Sequence, residues 1–237
     1  VHKLIEEFML LANKTVAEFV YNKNKGKDTF VYRIHDYPDL EKLNTFANFA
    51  KKFGHEVQVT DESKVSNSLN KLMDEIVGKP EQNVLEQLAI RSMAKAKYST
   101  EPKIHFGLAF KHYTHFTSPI RRYPDMMVHR LLQHYLEDRK SPENQAWEEK
   151  CMHSSEREKR AADSERASIK YKQVEFMADR LGEDFAGLVS GVTEWGLYVE
   201  MIETKCEGMV RITDIDDDYY EFDEANYCIV GRSGKKY

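Results

Sequence analysis

Apolar residues recur at steps of three and four through most of the chain and alternate with polar ones only near its end, so helices are expected first and strands last. Over residues 3–21 the apolar positions Leu4, Ile5, Phe8, Met9, Leu11, Ala12, Val16, Phe19 and Val20 surround nearly the whole helix circumference, which predicts a buried helix. Lys3, Glu7, Lys14 and Glu18 share its narrow solvent stripe, while Glu6 and Asn13 fall on an apolar flank and need partners. Those partners are either each other and nearby backbone or a ligand. The polar run NKNKGKD at 22–28 reads as a loop, Phe30 to His35 as a short strand, and Tyr37 to Phe53 as a helix opened by Pro38 and closed by Gly54. Val65–Val77 and Glu81–Tyr98 predict two further helices, broken at Gly78, Lys79 and Pro80.

The middle of the chain reads HFGLAFKHYTHFTSPIRRYPDMMVHR, His105 to Arg130. Ser118 before Pro119 is a helix-start pair, which would place Arg121 and Arg122 in the first helical turn. Free N–H groups and the positive end of the dipole favour an anion there, and the two guanidinium groups add charge to the same cradle. Pro124 then predicts a kink in the second turn, with Asp125 at a renewed N-terminus and His129 four residues on as its partner. After Met126–Leu136, a cap at Ser141, Pro142 and Glu143 opens a helix running to about Leu181. Its buried stripe is traced through Trp147, Cys151, Ser154, Glu158, Ala161, Glu165, Ile169, Lys172 and Phe176. A carboxylate in such a stripe needs a cation, so Glu165 should meet Arg121, Arg166 or Lys172, or face a wet cleft.

From Glu183 the pattern becomes short alternating runs punctuated by glycine, FAGLVSGVT, WGLYVEM and CEGMVRI, followed by an acidic turn at Asp214 to Asp218. The expected class is α+β, with a mostly helical domain over 1–181 and a β domain over 182–237 that has too few strands for a whole five-stranded barrel.

Composition adds exclusions. The chain has 237 residues, 41% of them apolar, and a net charge of −5, so nucleic acid would have to be held by local basic patches. No apolar run approaches the ~18 residues of a membrane span, which leaves the cytoplasm as the expected compartment and no membrane as partner. Three widely spaced cysteines, Cys151, Cys206 and Cys228, make neither a disulfide framework nor a zinc ribbon. His112, His115, His129 and His134 lack the companions of a structural metal site, and His35 with Asp36 is explained more simply as a turn than as a catalytic pair. Asp216, Asp217 and Asp218 are read as an acidic tip, because consecutive loop residues rarely converge on an ion.

The run YTHFTSPIRRYPD within His105–Arg130, together with IEEFMLLAN, VYRIHDYPD and AADSERA through EFMADRLG, resembles the ribonuclease II/R family of hydrolytic 3′-to-5′ exoribonucleases. The resemblance covers the later half of that family's catalytic domain. The phrase GLVSGVTEWGLYVEM…CEGMVRI resembles the S1 RNA-binding module, whose exposed aromatics stack bases. It implies Arg121 as the residue stabilising the five-coordinate phosphate and Glu165 as a carboxylate of the nucleotide cleft, with Arg166 beside it. Arg122, Ser118 and Tyr113 would contact phosphate or base, and Glu6 rather than Glu7 the ribose. Trp195 and Tyr198 would grip single-stranded RNA from the S1 module, and Arg211 stands where that module usually carries a histidine. Magnesium is implied for the complete enzyme, with ligands in an aspartate cluster that this sequence lacks. The expectation is therefore a monomeric fragment, inactive alone, with no metal ligands of its own. The alternatives are a non-catalytic RNA-binding module or regulatory paralogue and, last, an RNA-free scaffold.

Overall fold

The computed structural model describes residues 1–59, 62–79, 81–223, 226 and 228–237. In chain order these form α1 (His2–Asn24), β1 (Tyr32–Ile34), α2 (Leu40–Lys52), α3 (Glu62–Ile76), α4 (Gln82–Ser92), β2 (Lys97–Ser99), α5 (Tyr123–Leu136), α6 (Asn144–Ala178) and five further strands, β3 to β7. Helices dominate and the strands lie in short antiparallel sheets, so the class is α+β, as the patterning indicates. The chain divides into two compact units, one of residues 1–45, 57–71 and 92–162, the other of 46–56, 72–91 and 163–237. The expected break at Pro80 lies outside the described residues.

In the first unit, β1 and β2 pair with Tyr32 opposite Ser99 and Ile34 opposite Lys97. The sequence predicted helix across Lys97–Tyr98. Instead α4 ends at Ser92 and Tyr98 turns into the core from a strand. That core joins Ala17 and Val20 of α1, Phe30 to Tyr32 and Ile34, Met127, Val128, Leu131 and Tyr135 of α5, and Cys151 of α6. Each such fully buried apolar side chain stabilises the fold by about 1.5–3 kcal/mol. Burial also pushes the Cys151 thiol up to about 12, which leaves it an inert packing group.

Two helices differ from expectation. α1 is not buried all round: only Asn13, Ala17 and Val20, one face of its C-terminal half, are enclosed, and Leu4 and Phe8 are 61% and 63% exposed. The apolar circumference was real, but the core reaches one side of it. α6 starts at Asn144, because Ser141 is used elsewhere: its Oγ accepts the Thr29 N–H at 2.8 Å, and Tyr135 Oη donates to the Thr29 carbonyl at 2.5 Å. The stripe predicted along α6 is enclosed only at its start, where Cys151 is buried and Trp147 half-buried. Polar residues of α6 bind the small sheet and its flank instead, Glu158 of the stripe with Glu148 and Ser155 beside it. Ser155 Oγ takes the Tyr98 N–H at 2.9 Å, and Glu148 accepts the N–H and hydroxyl of Thr100, both at 2.6 Å. Glu158 receives both arms of Arg33, at 2.6 and 3.2 Å, a fork geometry only arginine supplies. α2 starts at Leu40, later than the expected Tyr37, and is capped by Asp39, whose carboxylate accepts the N–H groups of Glu41 and Lys42. His35 makes no local turn: it bridges to His105, bonds the Ala94 carbonyl through Nε2 and accepts the Gly107 N–H at Nδ1.

The second unit carries β3 (Gly187–Thr193), β4 (Gly196–Met201) and β5 (Glu207–Arg211) as an antiparallel sheet in that order, and β6 (Tyr220–Asp223) with β7 (Cys228–Gly231) as a hairpin. The described residues of this unit therefore include five strands, where too few were expected, arranged as a three-stranded sheet and a two-stranded one. Leu197, Tyr220 and Ile229 form the small core. Gly196 is required where β4 meets β5, since a Cβ there would stand 2.0 Å from the Val210 carbonyl oxygen. The acidic turn is structural: Asp217 takes the Tyr220 hydroxyl at 3.0 Å and pairs with Lys235, while Asp218 accepts the Ser233 N–H and hydroxyl at 2.7 and 2.6 Å.

Candidate nucleic-acid interface

The segment from Tyr113 to Arg122 is a loop whose shape is fixed by side chains from α1 and α5. From α1, Asn13 spends both ends of its amide: Oδ1 accepts the N–H groups of Phe116 and Thr117, at 2.9 and 3.2 Å, and Nδ2 donates to Tyr113 Oη at 3.0 Å. From α5, Asp125 Oδ1 accepts the Ser118 N–H at 2.8 Å and an Arg122 Nη2–H at 2.9 Å. His129 Nε2 donates to the Phe116 carbonyl at 2.8 Å and stacks on the Phe116 ring at 4.0 Å. The predicted His129–Asp125 pair is thus replaced by two separate grips on the loop.

These contacts correct the expected helix start. The Ser118 carbonyl accepts the N–H groups of Arg121 and Arg122 in a turn, and α5 begins only at Tyr123, with Arg122 at the N-cap and Pro124 in its first turn. Ser118 therefore caps nothing with its hydroxyl, and Pro124 opens the helix where a kink was expected. The preference of proline for a first turn, applied at Pro119, was satisfied five residues later. Arg121 and Arg122 stand just before the helix, still at its positive end.

The two arginines differ. Arg122 is partly enclosed and tied to Asp125, which is fully buried. Arg121 is exposed and makes no ion pair among the described residues. Both line a cavity of about 270 Å³ whose other walls include Glu6, Asn13, Tyr113, His115 and Thr117. Of the two glutamates at the start of α1, Glu6 is the one that lines it. Both arginines also border a larger cavity of about 1020 Å³, whose walls include Tyr98, Lys150, His153, Arg157 and Glu158. Three buried polar atoms here lack partners among the described residues: Thr117 Oγ1, Arg122 Nε and Asp125 Oδ2. Two donors and an acceptor are left for water or a ligand.

The electrostatics suit an anion. Burial, and then the charges of Arg122, Arg33, His105 and Arg121, push the His115 ring down to about 3, so it is neutral at physiological pH. Its Nδ1 lies 2.8 Å from Tyr98 Oη, a hydroxyl that burial holds protonated up to about 12. Arg33, in turn, lies over the Tyr98 ring at 4.6 Å. Among the described residues, no three His, Cys, Asp or Glu side chains converge, so the donors present do not fit a magnesium site.

The remaining expected site residues belong to the second unit. Glu165 is exposed and makes no ion pair among the described residues, and Arg166 pairs with Asp163, so neither the buried position nor the Arg121, Arg166 or Lys172 partner predicted for Glu165 is found. The helical stripe was extrapolated past the last residue it encloses. Trp195, in the turn between β3 and β4, is 69% exposed, and Tyr198 is half-buried between Gly191 and Met209. Arg211 bonds Asp214 at 3.0 Å on the surface. Sequence reasoning missed Asp125, Tyr98 and Arg33 as parts of the arginine site. The spacing of three between Arg122 and Asp125 was a usable signal, whereas nothing local marks Tyr98.

A chain with this α+β frame and an arginine pair at a helix start belongs to the RNB domain family, whose match covers residues 1–138. Among particular relatives, Ribonuclease R 1 of Lactococcus lactis is 42% identical over 239 residues, spanning 98% of this chain and 29% of that protein. The apo form of Mycoplasma genitalium RNase R superposes with a TM-score of 0.88 at 30% identity, covering 100% of this chain and 38% of that one. The same enzyme with ribose-methylated single-stranded RNA gives 0.84 at 30%, with the same coverage. Yeast Ssd1, a pseudonuclease, gives 0.74 at 25%, covering 95% and 28%. The chain thus spans about a third of the length of the relatives it matches.

Proposed function

We propose that the chain is the phosphate-gripping part of a hydrolytic 3′-to-5′ exoribonuclease that degrades single-stranded RNA to nucleoside 5′-monophosphates. The observation that carries this is the division between Arg122, fixed by Asp125, and Arg121, without an ion pair among the described residues, beside the same cavity in an RNB-family chain. A phosphodiester under attack gains negative charge on its non-bridging oxygens as it becomes five-coordinate. An unpaired guanidinium can close on that charge as it develops, and a fixed one holds the phosphate beforehand. Glu6, on the same cavity, is placed to accept the ribose 2′-hydroxyl, the group that separates RNA from DNA. The neutral His115 offers ring surface for the terminal base, and Tyr113, buried beside it at the cavity wall, backs that ring, with Ser118 supporting the turn.

Trp195 and Tyr198, with Arg211 nearby in sequence, form the stacking surface of an S1-type module over 182–237, and Glu165 and Arg166 serve the strand's path on α6. In this reading bound magnesium would supply the activated water, and none of the residues named above is assigned as its ligand. A monomer acting in the cytoplasm is the reading we adopt. No helix among the described residues is long and apolar enough to cross a membrane.

A second reading, a non-catalytic single-stranded RNA-binding module, draws on two observations: no carboxylate cluster forms among the described residues, and a pseudonuclease shares this fold. A denaturing gel of 5′-labelled RNA incubated with the full protein and Mg²⁺ separates them. A ladder shortening from the 3′ end is expected. Bound but uncut RNA would establish the second reading, and absence of binding would overturn both.

A further inference from the structure

We propose that Asp125, with Asn13 opposite it, is a positioning residue for the arginine pair, acting on RNA through the loop it holds. The inference rests on the reading of this site as an RNA-phosphate grip. Three consecutive backbone N–H groups, those of Phe116, Thr117 and Ser118, end on two side chains: Asn13 takes the first two and Asp125 the third. Loops ordinarily leave such groups to water. Here the receiving residues are 4% and 0% exposed, so each is committed to the loop and has no solvent to turn to.

The consequence falls on Arg121. With Ser118 fixed by Asp125, its carbonyl closes the turn onto the N–H groups of Arg121 and Arg122. The same Asp125 oxygen holds Arg122 at 2.9 Å, which engages this buried carboxylate and leaves Arg121 without an ion pair among the described residues. The grip is deliberately partial, because Asp125 Oδ2 and Arg122 Nε are left without partners among the described residues. The direction of Arg122 is set by the arm on Asp125, while the part of its guanidinium that lines the cavity stays within reach of a phosphate. A carboxylate is required for this, since an amide could accept both bonds at its one oxygen but carries no charge to draw the guanidinium in and sets an NH2 donor where Oδ2 stands.

The test is a cycle on turnover of a short single-stranded RNA by the full protein, with Arg121→Ala, Asp125→Asn and the double variant, each checked for folding by thermal melting. Arg121 is exposed, so its truncation leaves the fold intact. Asp125→Asn is expected to lower kcat about tenfold with KM within about threefold, and to cost less than about twofold once Arg121 is absent, because residues acting as a unit are non-additive. Asn13→Ala, as an independent variant, should show the same pattern. Losses that multiply undiminished in the Arg121→Ala background, or an unchanged kcat in Asp125→Asn, would make Asp125 a merely structural residue and overturn the proposal. If wild type binds RNA without cutting it, the hydrolytic reading fails by itself and the same cycle, read on affinity, decides the positioning role. If wild type neither binds nor cuts, both fall.

Discussion

The loop from Tyr113 to Arg122 and the strands from Gly187 to Arg211 both carry aromatic and basic residues, yet they are built on opposite plans. In the loop, the polar groups are buried and tied: Asn13, Asp125 and His129 account for four backbone groups and one guanidinium. In the strands, the candidate groups stand in solvent, with Trp195 mostly exposed and β5 exposed along its whole length. A site that must place charge within tenths of an ångström of a reacting phosphate requires pre-organisation, and its supports are as consequential as its contacts. A stacking surface needs only a ring face and tolerates mobility.

That contrast sets the size of the effects expected on breaking each region. The largest is Arg121→Ala, which should lower kcat by about 10²- to 10³-fold while changing KM by a few-fold, measured by steady-state turnover of single-stranded RNA in the full protein. Arg121→Lys should recover only part, since a point charge does not replace a planar fork. Next, Asp125→Ala strands the Arg122 guanidinium and the Ser118 N–H and should cost about 3 kcal/mol in urea unfolding. Trp195→Ala should leave stability unchanged but weaken binding of long RNA by about 1–3 kcal/mol, with short oligonucleotides unaffected, as read by fluorescence anisotropy. A loss of stability in that variant would mean Trp195 is packed and not presented.

The fourth effect concerns pH. Folded His115 takes up a proton only near pH 3, whereas an unfolded histidine does so near ~6.5. Between those values the unfolded chain binds more protons, so the contribution is fully present above about pH 6.5 and is lost as the pH falls toward 3. Thermal melts from pH 7 to 4 should show this decline, and His115→Gln should flatten it; an equal slope in the variant would assign the dependence to other groups. Smallest of all, Asp214→Ala breaks only the exposed pair with Arg211 and should alter stability by less than about 1 kcal/mol.

What the sequence made legible follows from the same physics. Periodicity located α1, α2, α5 and α6 because a packed helix repeats its apolar face, and alternation located β3, β4 and β5. It failed where identity depends on a distant partner. Ser118–Pro119 has the composition of a cap, but the Asp125 carboxylate claims the Ser118 N–H, and α5 begins later. Lys97–Ser99 is too short to reveal a strand, and only its pairing with β1 makes it one. Glu158 and Glu165 lie on one stripe, yet one meets Arg33 and the other is in solvent, because a helix 35 residues long outruns the core beneath it. Within the site, Arg121, Arg122, Tyr113 and Glu6 were chosen from sequence and line one cavity. Asp125 went unrecognised as their support because a buried ion pair looks, in sequence, like an ordinary helix-start acid.

The central claim, that Arg121 is the free cation of an RNA-phosphate site, is tested most directly by the salt dependence of single-stranded RNA binding. Plots of log affinity against log salt are compared for wild type and Arg121→Ala. Loss of one phosphate contact should make the slope shallower by about 0.7, the value expected for one charge on a single strand. An unchanged slope with unchanged affinity would mean that Arg121 meets no phosphate and that the site has been wrongly assigned.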